Sequence, residues 1–175
     1  MRHVVLLRGI NVGKGNRVPM AGFRALLEAL GHSGVLTLLN SGNAVFTAGT
    51  KASGPALAAA IAKALDERMG VPVPVVVKSR AQWKAIVEAN PWAGRVEDPS
   101  RLLVAFAPDR EGLDALAAVG DLAGRDEWHL GEQAAYLHCP AGILGSAAAK
   151  ALLGKAGRGV TTRNWATVSK ISAAL

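Results

Sequence analysis

Between Leu6 and Arg17 the chain reads Leu-Leu-Arg-Gly-Ile-Asn-Val-Gly-Lys-Gly-Asn-Arg. An apolar run gives way to Gly9, Gly13 and Gly15, interleaved with the donors Arg8, Asn11, Lys14 and Arg17. Glycine lets backbone N–H groups approach a ligand, and the start of a following helix adds positive potential. That combination suits an anion. It is not a P-loop, which needs four residues between its first glycine and Gly-Lys-Ser/Thr. Here three residues separate Gly9 from Gly13, and Gly15 stands where the magnesium-holding hydroxyl would be. A dinucleotide fingerprint fails on spacing and on the acid that should follow. The competing reading is a glycine-rich strand-to-helix crossover with ordinary solvated charge.

Two further clusters stand out. Asn40-Ser41-Gly42-Asn43 is built of turn formers. In Thr161-Thr162-Arg163-Asn164-Trp165, Asn164 suits a helix N-cap and Trp165 a core anchor. Arg163 is the odd member, able to pair with a phosphate, a carboxylate ligand or an acid elsewhere in the chain. None of the three clusters holds Asp or Glu, so none offers a general base or a metal carboxylate. His3, His32, His129 and His138 show no metal-binding spacing, and Cys139 is the only cysteine. His138 and Cys139 are neighbours on a predicted strand, so they face opposite ways and form no dyad. Asp66-Glu67 and Asp126-Glu127 read as solvated helix-end and turn charges. No metal and no cofactor are expected.

The elements around these clusters follow from periodicity. His3–Leu7 is an apolar strand. After Pro19, the residues Met20, Phe23, Leu26, Leu27 and Leu30 share one helical face. Val35–Leu39 and Ala44–Thr47 are short strands about the Asn-Ser-Gly-Asn turn. Pro55 opens a helix with Leu57, Ile61, Leu65 and Met69 inward, and Val73–Lys78 is a β-branched strand. The order is βαββαβ, the ferredoxin-like arrangement. Ser79-Arg80-Ala81-Gln82 is a capping box that opens a connecting helix with Trp83, Ile86 and Val87 inward. After the Pro- and Gly-rich stretch Pro91–Ser100 the pattern recurs. It runs as strand Leu102–Ala107, helix Glu111–Val119 with Leu113, Leu116 and Ala117 inward, and hairpin Glu127–Leu130 with Ala135–Cys139. A helix capped by Ser146, a short strand Val160–Thr162 and a terminal helix from Asn164 complete it. The reading is therefore α+β: two ferredoxin-like halves packed together, residues 1–78 and 101–175, joined by residues 79–100 and ending in an extra helix. In such a sheet the first and third strands are antiparallel neighbours, so the 40–43 turn should lie beside the exit of the first strand. Arg8, Asn11, Lys14, Arg17, Ser41 and Asn43 are expected to border one depression, with Arg163 as an outlying candidate.

Charge supports the same reading. The net charge is +7, and it is uneven. Residues 1–27 hold five bases and no acid, as do residues 133–175, while all 13 acids fall between them. Such asymmetry points to an anionic partner. No run of 18 apolar residues occurs, so no membrane helix is expected. The lone cysteine fits a soluble cytoplasmic protein, monomer or homodimer. Sheet-face RNA stacking is not expected, because Phe46 is the one aromatic on the first and third strands.

Leu-Leu-Arg-Gly-Ile-Asn-Val-Gly (6–13), Asn-Ser-Gly-Asn (40–43) and Thr-Thr-Arg-Asn-Trp (161–165) resemble the signatures of an uncharacterised bacterial family, domain of unknown function 1697. The resemblance covers nearly the whole chain and implies two ferredoxin-like domains. It implies no activity. It marks Arg8, Gly9, Asn11, Gly13, Ser41, Gly42, Asn43, Arg163, Asn164 and Trp165 as the family pattern, with Asn40 in place of the usual glutamine. From the residues, the leading function is binding of an anion, a nucleic acid or a phosphate-bearing small molecule. The ligand-binding candidates are Arg8, Gly9, Asn11, Gly13, Lys14, Arg17, Ser41, Gly42, Asn43 and Arg163. The alternatives are an enzyme holding a phosphate or carboxylate substrate at those loops, and a structural or protein-interaction role.

Overall fold

The computed structural model describes residues 1–175. The chain divides into two compact units: Met1–Trp83 with Lys170–Leu175, and Lys84–Ser169. No helix is long and apolar enough to cross a membrane.

The first unit runs β1 (Arg2–Leu7), α1 (Met20–Ala29), β2 (Ser33–Leu38), β3 (Asn43–Thr47), α2 (Gly54–Met69) and β4 (Val75–Ser79). Its sheet has the order β2-β3-β1-β4, antiparallel throughout. β1 is central because Val4, Val5, Leu6 and Leu7 are all fully buried, as a strand apolar on both faces requires. Val5 and Leu7, with Ala44, Phe46 and Val77, form the face that packs on Phe23 and Leu27 of α1 and Ile61 and Leu65 of α2. Both helices thus cover one side of the sheet. Fully burying each such aliphatic side chain is worth about 1.5–3 kcal/mol. α2 starts at Ser53, whose hydroxyl accepts from the Ala56 N–H, and stops at Gly70 in the left-handed conformation (φ 65°).

α3 (Arg80–Glu88) begins with the expected capping box. The Gln82 Oε1 accepts from the Ser79 N–H at 2.9 Å, and the Gln82 N–H donates to Ser79 Oγ at 3.2 Å. The division between the units falls inside this helix, ahead of the Pro91–Ser100 stretch.

The second unit continues with a single 3-10 turn (Pro99–Arg101), β5 (Leu102–Phe106), α4 (Arg110–Asp114), α5 (Ala117–Gly120), β6 (Glu127–Leu130), β7 (Ala135–His138), α6 (Ala147–Leu153) and β8 (Thr161–Asn164). Its order is β6-β7-β5-β8, antiparallel, repeating that of the first sheet. Leu103, Ala105, Leu137 and Cys139 pack with Leu113, Leu116, Val119 and Leu152. The helix expected over 111–119 is two short helices, with Ala117 exposed and Val119 buried. The Leu116 N–H donates to Leu113 O, an i→i−3 bond that tightens the chain and resets the inward face. α7 (Trp165–Ala174) closes the chain, capped by Asn164 Oδ1 accepting from the Thr167 N–H at 2.9 Å.

Candidate functional site

The connection from β1 to α1, residues 8–19, turns repeatedly through the left-handed region: Gly9 (φ 63°), Asn11 (54°), Gly13 (62°) and Asn16 (49°). Glycine and asparagine are the residues that occupy it at least cost. A side chain at Gly9 or Gly13 would meet nothing, so these glycines serve conformation rather than space. Hydrogen bonds close the loop on itself. The Asn11 N–H donates to Asn16 O (3.0 Å), Asn16 Nδ2 to Gly9 O (3.3 Å) and Arg17 Nη2 to Gly13 O (2.6 Å).

Asn11 joins this loop to the β2–β3 turn. Its Oδ1 accepts from the Val18 N–H (2.9 Å), while Nδ2 donates to Val18 O (2.9 Å) and to Asn40 O (2.8 Å). Both amide protons are thereby used. The turn is fixed from its other side as well. Gly42 O accepts from the Leu7 N–H at 2.8 Å, and Asn43, fully buried, donates through Nδ2 to Leu38 O and Ser41 Oγ, both at 2.9 Å. Gly42 has a φ of 83°, and a Cβ there would lie 2.7 Å from Leu7 Cβ and 2.9 Å from Ile10 Cδ1. Only glycine fits that approach.

The two loops border an open depression of about 300 Å³, lined by Asn11, Arg17, Val18, Pro19 and Asn40. It lies at the start of α1, where Pro19 supplies no side-chain cap and the first turn holds no acid. The positive end of that helix is therefore not balanced by its own residues. Of the expected site residues, Asn11 and Arg17 line the depression. Gly9, Gly13 and Lys14 are exposed on the same loop, and Ser41 is exposed on the turn. Arg8 is half-buried, with its N–H donating to Pro74 O. Gly42 and Asn43 sit beneath the turn, buried, and hold it.

Arg163 belongs to the second unit. It lies on β8 opposite Val104 and donates through Nη1 to Thr161 Oγ1 and Thr162 O, both at 2.9 Å. Burial lowers its guanidinium to about 10, which leaves it charged at neutral pH.

Two features escaped the sequence. Glu127 Oε2 lies 2.6 Å from His138 Nδ1, where a solvated turn charge was expected. The β6–β7 register places the two residues directly opposite, so counting back from the hairpin turn would have found the pair. The second unit also has an open depression of about 300 Å³, with Arg110, His129, Glu132 and Gln133 in its lining. Cys139 lies in the core, and burial pushes its thiol up, away from a reactive thiolate. No group of three or more His, Cys, Asp or Glu side chains is arranged to hold a metal ion.

No curated protein matches the chain. Among solved structures it is similar to the conserved bacterial protein SP0830 from Streptococcus pneumoniae, at 27% identity and a TM-score of 0.82, over 99% of this chain and 97% of that one. The same chain that carries the clamped glycine loop and the Asn-Ser-Gly-Asn turn matches, over residues 1–136, the family described as protein of unknown function (DUF1697), and it belongs to that family.

Proposed function

We propose that the chain binds an anionic, phosphate-bearing ligand at the loop end of the first unit. The observation that carries this reading is the depression at the start of α1. Arg17 is in its lining, no carboxylate is, and the adjoining helix turn has no acid of its own. Lys14 and Arg8, on the same loop, add charge around it, and the glycines bring backbone close to the ligand. In this reading Asn11, Gly42 and Asn43 shape the site, while Arg17, Lys14, Arg8 and the loop backbone with Ser41 meet the anion. A small phosphate compound or a nucleic acid would present the same group. The two sources differ in salt dependence, because binding to a long nucleic acid releases counterions and weakens steeply with ionic strength.

The test is calorimetric titration of inorganic phosphate and of a single-stranded oligonucleotide into the intact chain. Saturation at one phosphate per chain is expected, and its loss in the double variant Lys14→Ala, Arg17→Ala. Both side chains are exposed, so folding stability should move by no more than about 0.5 kcal/mol. No heat from either probe, or equal affinity in the double variant, would refute the reading.

A further inference from the structure

We infer that His32 is an acid-sensitive latch in the first unit: protonating its imidazole releases the loop between β3 and α2 from the turn between α1 and β2. The geometry is that of a ring locked in its neutral form. His32 is 7% exposed, and its Nδ1 accepts from the Gly49 N–H at 3.3 Å. An N–H can donate only to an unprotonated ring nitrogen, so the His32 proton resides on Nε2. Adding a second proton at Nδ1 sets two donors against each other and removes the bond.

That bond spans a tight backbone contact. A Cβ on Gly49 would lie 1.9 Å from Gly31 O, so the two loops touch through their main chains at these glycines. The ring packs at 4.7 Å on Phe46, whose other neighbour is His3 at 5.7 Å. His3 is 5% exposed and directs Nδ1 at Met1 O, 3.0 Å away. Two imidazoles thus flank one core phenyl ring, and no carboxylate is bonded to either.

The charged groups on the surrounding elements give little relief. β1 carries Arg2, with the amine of Met1 just before it, and the β3–α2 loop carries Lys51. On α1, Glu28 is bonded to Arg24 at 2.9 Å. On α2, Glu67 is paired with Lys63 at 3.3 Å, and Asp66 and Arg68 are its neighbours. β2 and β3 carry no charge, and β4 contributes Lys78. Burial, with the charge of His3 second, holds His32 below its ordinary value; burial does the same to His3. The sign follows. Both groups are held low in the folded chain, so their contribution is complete above the ordinary imidazole range near 6.5 and is lost as pH falls through it toward the folded values.

Amide hydrogen exchange on the intact chain tests this. The protection factor of the Gly49 N–H, taken against unstructured peptide at each pH, should fall between about pH 7.5 and pH 5, by about tenfold per pH unit wherever only the opened form is protonated. In His32→Asn the side-chain oxygen can accept from Gly49, and protection should be flat over that range. Constant protection in the native chain, or an equal fall in His32→Asn, would overturn the latch. Should His32→Asn fold poorly, NMR titration of the native His32 ring decides. A neutral ring protonated on Nε2 and titrating below about 6.5 supports the latch. A ring titrating at or above that value refutes it.

Discussion

The two units share a strand order but finish the same sheet end in opposite ways. In the first, the connection from β1 to α1 takes residues 8–19, and its helix starts at Pro19 with no side-chain cap and no acid in the first turn. In the second, β5 reaches α4 through residues 107–109, and Asp109 caps the helix by accepting from the Gly112 N–H at 2.8 Å, with Glu111 in the first turn. Each end has a depression of about 300 Å³. That of the first unit has Arg17 and no acid; that of the second has Arg110 and Glu132. Arg110 is in turn bound by Asp114 at 2.7 Å, which raises its pKa through the hydrogen bond and the adjacent charge. The second unit supplies its own counter-charge, whereas in the first the depression has Arg17 without an acid in its lining and the helix start has no acid in its first turn. One topology therefore supports two electrostatic outcomes, and function must be argued from the loops rather than the fold.

The largest expected effect tests whether the first unit's end is built by close backbone approach. Gly42→Ala forces a side chain into a left-handed residue, at about 1–2 kcal/mol, and against Leu7 and Ile10, at about 1–3 kcal/mol more. Gly15→Ala, on the neighbouring loop, meets nothing within 4 Å and has no positive φ, so denaturant unfolding should shift by less than about 0.5 kcal/mol. Similar costs for the two would break the comparison, since the turn would then tolerate what the geometry forbids.

Much of this end was legible in the sequence. The βαββαβ order makes the first and third strands antiparallel neighbours, as β1 and β3 are, and that brings the 40–43 turn beside the loop. The capping box at Ser79–Gln82 and the Asn164 cap were readable because each depends on residues three apart. The roles of the asparagines were not. Asn11 and Asn43 read as ligand donors, yet the amide of Asn11 bonds carbonyls at Val18 and Asn40, and that of Asn43 bonds the Leu38 carbonyl and Ser41 Oγ. Donor type and spacing cannot tell a donor facing a ligand from one facing the chain, because that depends on φ values such as 54° at Asn11. The break between α4 and α5 was hidden for a related reason. Leu113 and Leu116 suit one helix, and the single tightened turn between them leaves no mark in composition.

A smaller effect isolates the second unit's own cap. Asp109→Ala removes the acceptor for the Gly112 N–H and should cost about 1 kcal/mol in thermal or denaturant unfolding. It should leave phosphate binding at the first unit unchanged. A loss of phosphate affinity in this variant would mean that the site had been assigned to the wrong end.

The smallest effect is the sharpest, because stability and binding should move in opposite directions. Ala21 is exposed in the first turn of α1, two residues beyond Pro19. Ala21→Glu gives that helix the acid which α4 has in Glu111. The comparison variant is Ala21→Gln, with nearly the same helix propensity and no charge, so the difference between the two reports the charge alone. If the start of α1 is electrostatically unbalanced, the glutamate variant should be more stable than the glutamine variant by about 0.3–1 kcal/mol at low ionic strength, and the gain should fade once the screening length drops below about 10 Å, near 0.1 M salt. The same carboxylate would sit beside the proposed anion, so phosphate affinity should fall by about tenfold, equivalent to about 1.4 kcal/mol. A gain in stability with unchanged affinity would place the ligand away from the helix start. No gain in stability would show that the chain already balances this end, and the contrast between the two units would lose its electrostatic basis.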